Sequence, residues 1–236
     1  MKSSLSIFFP CYNDEHTIVD LVKDAVATAK KLTNDFEVIV VNDGSKDNSL
    51  QVLREAKKSI PSLKIVNHVK NRGYGGALKS GFSKSTKELV FYTDGDAQYD
   101  VKELVHLWNL LSDDVDVVNG IKMARQDYAY RVIMGNLYAL IVRWMFLLPI
   151  FDCDCDFRLI RRSKLRGTKL ESNSGSICCE LVKRLERNGA TFRQVSVHHY
   201  PRKYGKSQFF NPKRLWQTAK ELSALWWRLM IKDRYA

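Results

Sequence analysis

Leu89-Val90-Phe91-Tyr92-Thr93-Asp94-Gly95-Asp96-Ala97-Gln98 decides how this chain is read. A short run of strand-forming residues stops at two carboxylates with a glycine between them. The same pattern recurs upstream. Ser6 to Phe9 runs into Pro10-Cys11-Tyr12-Asn13-Asp14, and Glu37 to Val41 runs into Asn42-Asp43-Gly44-Ser45. Lys64 to Val69 and Val115 to Asn119 are further short apolar runs. Between them lie helical segments of about Glu15 to Leu32, Lys46 to Lys58, Gly76 to Ser85 and Val101 to Leu111. Short buried strands alternating with helices predict an α/β fold, a mostly parallel central sheet with helices on both faces. Ligands of such sheets bind at the carboxyl ends of the strands, which puts Asp14, Asp43, Asp94 and Asp96 along one edge. A single Asp after a strand serves as a turn former or helix cap. Several on one edge repel each other unless a cation or donors lie between them.

The second half is less regular. Tyr128 to Leu148 reads as a long, largely apolar helix, and Ser176 to Asn188 as another with Gly189 as its stop. Thr191 to His199 reads as a strand, Arg202 to Ser207 as a basic loop, and Pro212 to Met230 as a final helix. The chain thus divides into a main domain, residues 1–211, and a basic amphipathic C-terminal helix, residues 212–236. Leu215, Ala219, Leu222, Trp226 and Leu229 share one stripe of that helix. Trp216, Trp227 and Met230 widen it, and Lys213, Arg214, Lys220, Arg228 and Lys232 flank it. The stripe alone equally suits packing on the core or on a second copy, but a Trp-edged basic helix beside a basic last third is expected to lie at a membrane interface.

Residues 1–156 hold 19 Lys/Arg against 21 Asp/Glu, and residues 157–236 hold 19 against 5, so the net charge of +12 resides wholly in the last third. Such a block faces something anionic: nucleic acid, phospholipid headgroups or a phosphorylated substrate. No helix-turn-helix, zinc-finger or RNP-type motif supports nucleic acid. The longest apolar stretch, Tyr138 to Phe151, is broken by Arg143, and a membrane span needs about 20 apolar residues. Cys11, Cys153, Cys155, Cys178 and Cys179 form no CxxC pair, which favours reduced thiols over zinc.

Asp94-x-Asp96 at a strand end can aim carboxylate oxygens at one hard cation, Mg2+ or Mn2+, with Gln98 adding a carbonyl oxygen and a diphosphate completing the shell. Asp43 is either a helix cap or an acceptor for the edge of a nucleotide base. Arg72-Gly73-Tyr74-Gly75-Gly76 opens a helix; its glycines make a tight turn or let the backbone approach a phosphate.

Four motifs in order are Phe9-Pro10-Cys11-Tyr12-Asn13-Asp14-Glu15, Val41-Asn42-Asp43-Gly44-Ser45, Asn71-Arg72-Gly73-Tyr74-Gly75-Gly76-Ala77 and Thr93-Asp94-Gly95-Asp96-Ala97-Gln98. Together they resemble the family 2 inverting glycosyltransferases of GT-A (Rossmann-like) fold. Three later features resemble, more narrowly, the branch of dolichyl-phosphate mannose synthases and polyprenyl-phosphate glycosyltransferases. They are Arg125-Gln126-Asp127 with Arg131, Asp152-Cys153-Asp154-Cys155-Asp156-Phe157-Arg158-Leu159, and Tyr200-Pro201-Arg202-Lys203-Tyr204-Gly205-Lys206-Ser207. The resemblance implies that Pro10, Tyr12, Asn13, Glu15 and Asp43 surround the base. It puts Asp94, Asp96, Gln98 and Gly73 at the metal and diphosphate, and Arg202, Lys203 and Ser207 over the diphosphate. Asp96, Arg125, Arg131, Asp152 and Asp154 are then the catalytic groups, the two arginines facing the sugar phosphate and the acceptor phosphate. Asp156 stands where the family often has a small residue, leaving open which of Asp152, Asp154 and Asp156 acts near the sugar.

The implied reaction is metal-dependent, inverting transfer from a GDP- or UDP-sugar to a polyprenyl phosphate. It implies an enzyme bound peripherally on the cytoplasmic membrane face, against anionic lipid, and compatible with a homo-oligomer. A phosphate acceptor is already anionic near pH 7 and needs little general-base help, so Arg and Lys side chains matter more than a His. The alternative is transfer to a hydroxyl of a saccharide or glycolipid, which needs one of the three Asp as general base.

Overall fold

The computed structural model describes residues 3–123, 129–201 and 212–234. The elements run β1 (Leu5–Cys11), α1 (Ile18–Leu32), β2 (Phe36–Asn42), α2 (Ser49–Ser59), β3 (Leu63–Asn67), α3 (Gly73–Lys84) and β4 (Leu89–Thr93). They continue as α4 (Leu104–Leu110), β5 (Val117–Met123), α5 (Ala129–Phe146), β6 (Phe157–Arg161), α6 (Ile177–Arg187), β7 (Phe192–His198) and α7 (Pro212–Trp226). One seven-stranded sheet has the order β3-β2-β1-β4-β6-β5-β7. Only β6 runs against its neighbours, antiparallel to both β4 and β5. The remaining ladders are parallel, as the strand–helix alternation predicts.

Strand β1 is buried along its whole length and carries the sheet's central register. Its ladder with β4 covers only Leu5 to Phe8, so Pro10, which has no N–H to give, lies past the end of that ladder. Successive residues point to opposite faces. Leu5, Ile7, Phe9, Val38, Val40 and Phe91 meet α1 and α4 on one side. Phe8, Ile39, Val41, Val90 and Tyr92 meet α3 and α6 on the other. Helix α3 lies close because Gly81 has no side chain: a Cβ there would fall 2.4 Å from the Phe8 ring.

Two features depart from the sequence reading. The first is β6, a strand in the middle of the sheet that the apolar pattern did not announce. The second concerns the apolar stripe of the C-terminal helix, which was expected to lie at the membrane interface. Leu222, Leu225 and Leu229 are buried against Val142 and Phe146 of α5 and Cys179 and Val182 of α6. Trp226 Nε1 donates to the Met145 carbonyl at 2.8 Å. Leu222 and Leu229 of the stripe serve the core, whereas Ala219, Trp216 and Trp227 are exposed.

Candidate active site

Asp94 follows β4 directly, and Asp156 directly precedes β6. Because β6 is antiparallel to β4, with Thr93 opposite Phe157, the start of one strand lies beside the end of the other. Two carboxylates 62 positions apart in sequence are thereby brought to the same edge. The Tyr74 hydroxyl, in the first turn of α3, donates to Asp94 Oδ1 at 2.7 Å. Asp96 Oδ1 accepts from Gln98 N at 3.1 Å across a turn in which Ala97 has φ 59, a left-handed conformation uncommon outside glycine. Burial, then the charges of Asp156 and Asp96, pushes the Asp94 carboxyl well above the usual range. Asp156 is also raised, by burial first, although Arg158 opposes the shift. Carboxylates crowded at one point suit a hard dication, whose charge relieves their repulsion. Among the described residues no group of three or more His, Cys, Asp or Glu forms a closed metal cage. Asp94 and Asp96 therefore fit as part of a shell whose other oxygens come from a phosphate or water.

Behind these acids lies a buried polar row. Tyr92, Arg158 and Asn119 are register partners on the adjacent strands β4, β6 and β5. Arg158, with no exposure, gives Nε to Asn119 Oδ1 at 2.5 Å, Nη1 to the Tyr92 hydroxyl at 2.7 Å and Nη2 to the Cys153 carbonyl at 3.0 Å. Asn119 Nδ2 in turn donates to the Asp152 carbonyl at 3.0 Å. Lys122 Nζ donates to the Asp154 carbonyl at 2.6 Å and stands 3.9 Å from Asp152 Oδ1. The loop 152–156 is thus held partly through its backbone carbonyls, while Asp154 Oδ1 accepts from Cys153 Sγ at 3.7 Å and Asp156 Oδ1 from Cys178 Sγ at 3.1 Å. Burial, reinforced by Asp152 and Asp156 against the opposing charge of Lys122, pushes the Asp154 carboxyl up to about 6.

The loops after β1 and β2 are laced to each other. Asn13 N donates to Ser45 Oγ, and Lys46 N donates back to Asn13 Oδ1. Glu15 N donates to Asp47 Oδ2, and Asn48 N donates back to Glu15 Oε2. Asn13 and Glu15, expected at the base, thus have their described side-chain bonds within the protein and shape the wall. Tyr12 is exposed beside them. Asp43 lies at the end of β2, its Oδ1 accepting from His68 Nδ1 at 2.6 Å and from Arg72 N at 2.9 Å.

The glycine turn lies against another segment of the chain. A Cβ on Gly73 would meet the Asn173 carbonyl at 2.4 Å, and one on Gly75 the Ser172 carbonyl at 2.4 Å. Gly75 N donates to the Asn173 carbonyl at 3.0 Å. These glycines permit a close approach by the chain's own residues 172–173. That loop is pinned by the buried Glu180, which accepts from Ser172 N at 2.8 Å, Arg184 Nε at 3.1 Å and Arg228 Nη2 at 3.0 Å.

The structure therefore gathers Asp94, Asp96, Asp152, Asp154 and Asp156 at one edge, with Pro10 against the Asp94 loop: a Cβ on Gly95 would lie 2.6 Å from the Pro10 carbonyl. Gln98 donates to the Tyr200 carbonyl at 3.0 Å and accepts from Tyr200 N at 2.8 Å, a clasp that fixes where the following basic segment leaves the sheet. Arg125, Arg202, Lys203, Lys206 and Ser207 lie outside the described residues, and Arg131 falls in the first turn of α5 with its side chain outside them. Tyr74, Lys122, Arg158 and His68 were not anticipated. The available signal was a charge inside a largely apolar strand, Lys122 in β5 and Arg158 in β6.

Residues 6–168 match the sequence profile of Glycosyl transferase family 2. Similar curated proteins include the undecaprenyl-phosphate 4-deoxy-4-formamido-L-arabinose transferase of Yersinia pestis (strain Pestoides F), 28% identical over 87% of this chain and 62% of that protein. The protein of the same description from Pseudomonas fluorescens (strain SBW25) is 29% identical over 87% of this chain and 60% of its own length. The chain spans about three fifths of the length of these relatives. Among solved structures, glucosyl-3-phosphoglycerate synthase from Mycobacterium tuberculosis with Mn2+, UDP and glucosyl-3-phosphoglycerate has a TM-score of 0.71 at 16% identity, over 97% of this chain and 81% of that one. A mannosyltransferase from Pyrobaculum calidifontis with GDP-Man and Mn2+ has a TM-score of 0.65 at 19% identity, over 87% of this chain and 59% of that one. At such identities these likenesses speak for the fold, which is GT-A. The family match runs from β1 past β6 and takes in every carboxylate of the site, so the chain belongs to glycosyl transferase family 2 and is a glycosyltransferase.

Proposed function

We propose that this chain transfers a sugar, with inversion, from a nucleoside-diphosphate sugar to the phosphate of a polyprenyl phosphate, using Mg2+ or Mn2+ held by Asp94 and Asp96. The observation that carries the reading is the convergence of Asp94, Asp96 and Asp156 where β4 ends and β6 begins. The acceptor class follows from the relatives, which act on undecaprenyl phosphate. The cation, when bound, offsets the charge gathering on the leaving diphosphate. Asp43 takes the base. Arg125 and Arg131 bring the acceptor phosphate against the donor, and Arg202, Lys203 and Ser207 close over the diphosphate from the segment that the Gln98–Tyr200 clasp starts beside Asp96. Two anions must meet in this reaction, and basic side chains serve it better than a strong base does.

A peripheral position on the cytoplasmic membrane face belongs to the same reading. Its contact surface is α5 and not the buried stripe of α7. Met134, Leu137, Leu140, Ile141, Trp144 and Leu147 are all exposed along or just beyond α5. Trp216 and Trp227 are also exposed, and Arg143 is exposed beside Trp144.

One observation favours a second reading. An Asp154 carboxyl at about 6 is close to what a general base needs near neutral pH, which suits a hydroxyl acceptor. The test is release of nucleoside diphosphate from a panel of UDP- and GDP-sugars, with Mn2+ and either a short polyprenyl phosphate or the matching neutral alcohol. The proposal expects release with the lipid phosphate alone, abolished by chelator. Equal release with the neutral alcohol replaces it by the second reading.

A further inference from the structure

His68 follows β3 directly and is buried, 4% exposed. Its Nδ1 lies 2.6 Å from Asp43 Oδ1, and its Nε2 lies 2.9 Å from Ser80 Oγ on α3. A carboxylate only accepts, so the hydrogen of that first bond sits on Nδ1. Ser80 at the far side of the ring keeps the imidazole from turning. Asp43 is itself 3% exposed. Its Oδ1 also accepts from Arg72 N at 2.9 Å, and two donors occupy both lone pairs of that oxygen. Among the described residues nothing donates to Oδ2.

We propose that His68 is a positioning residue that sets base specificity: by holding Asp43 Oδ1 it leaves one carboxylate oxygen for the ligand, which selects uracil over guanine. Uracil presents a single ring N–H between two carbonyls, and one acceptor satisfies it. Guanine presents an N1–H beside an exocyclic N2 amine, and pairing that edge takes both carboxylate oxygens. With Oδ1 already filled, one guanine N–H is left buried without a partner. The inference rests on the reading of Asp43 as the base contact, and it narrows the donor to a uridine diphosphate sugar.

Calorimetric binding of UDP and of GDP, each with Mn2+, tests it on the full chain and on Asp43→Ala, His68→Ala, His68→Asn and His68→Gln. Thermal unfolding of each variant reports whether it folds. An Asn amide nitrogen falls near the place of Nδ1, whereas the Gln amide reaches toward that of Nε2. The expected result is UDP bound at least about tenfold more tightly than GDP, the worth of one missing hydrogen bond to a charged group. His68→Ala should weaken UDP about tenfold and shrink the UDP/GDP ratio. His68→Asn should restore the ratio, and His68→Gln should not. If His68→Ala does not fold, the Asn and Gln variants decide, and equal ratios overturn the proposal. GDP bound as tightly as UDP by the unaltered chain also overturns it. If Asp43→Ala weakens UDP while His68→Ala leaves the ratio unchanged, His68 is structural and the base contact stands. If Asp43→Ala binds UDP unchanged, the base-contact reading itself fails.

Discussion

Arg158 shows at the scale of one residue how this sheet tolerates a charge at its centre. The guanidinium has no exposure, and each of its three nitrogens meets an oxygen from a different neighbour: Asn119, Tyr92 and the Cys153 carbonyl. A buried charge so satisfied is stable as a set and costly to break. Arg158→Met should lower unfolding free energy by about 3–5 kcal/mol in urea titration, because it orphans acceptors and loosens the 152–156 loop. Loss under about 1 kcal/mol would mean that the row contributes little. Glu37, at the start of β2, is the second case. Burial alone would raise its carboxyl, but bonds from Lys64, Ser6 and Thr86 overcome this and hold it down at about 2. A group depressed in the folded state stabilises it above the ordinary value, 4.5, and loses that contribution as pH falls toward 2. With Lys64 half exposed and screened, the contribution is about 1–3 kcal/mol. Acid unfolding of the wild type should therefore steepen across that window, and Glu37→Gln should flatten it. A variant whose stability follows the wild-type pH curve throughout would refute the assignment. The acids at strand ends were legible because a carboxylate that stops an apolar run is a local signal. Arg158 and His68 were not, because their meaning lies in partners such as Tyr92, 66 positions from Arg158, and Asp43, 25 positions from His68.

At the scale of elements, the strand–helix alternation of the first half was legible because each unit buries one face with its own period. Strand β6 was not. Its five residues, Phe157 to Arg161, carry two arginines and show no two-residue alternation. What makes it a strand is pairing on both sides, with β4 and β5, which is a tertiary property. The glycines opening α3 left a tight turn or a backbone approach to phosphate open, because sequence cannot say what approaches; in the fold residues 172–173 do. The same limit applies to α7. A stripe says that a helix has an apolar neighbour, not which one. Since Leu229 is buried between α5 and α6, Leu229→Ala should cost about 2–5 kcal/mol in denaturant unfolding. Trp227→Ala, on an exposed side chain, should stay within about 0.5 kcal/mol. The reverse order would return the stripe to the solvent or membrane side.

For the whole molecule, charge and apolar surface point to one docking geometry. The last third holds 19 Lys/Arg against 5 Asp/Glu. Among the described residues no helix is long and apolar enough to cross a membrane. Helix α5 nonetheless exposes Ile141 at 55%, Trp144 at 70% and, just past its end, Leu147 at 61%, an apolar patch that water alone does not favour. Lying in the headgroup region would bury it, and anionic lipid adds about 1 kcal/mol for each nearby Lys or Arg. This orientation also suits the proposed chemistry. Arg131, proposed for the acceptor phosphate, falls in the first turn of the same helix. Sedimentation with vesicles of anionic or neutral lipid checks the geometry. The wild type should bind anionic vesicles, less so in high salt, and neutral vesicles weakly. Replacing Ile141 and Trp144 together by Glu should abolish binding while leaving the unfolding midpoint close to that of the wild type, since both side chains are exposed in the fold. Should the doubly substituted chain sediment as the wild type does, α5 is not the contact surface, and the basic last third alone must account for whatever binding remains.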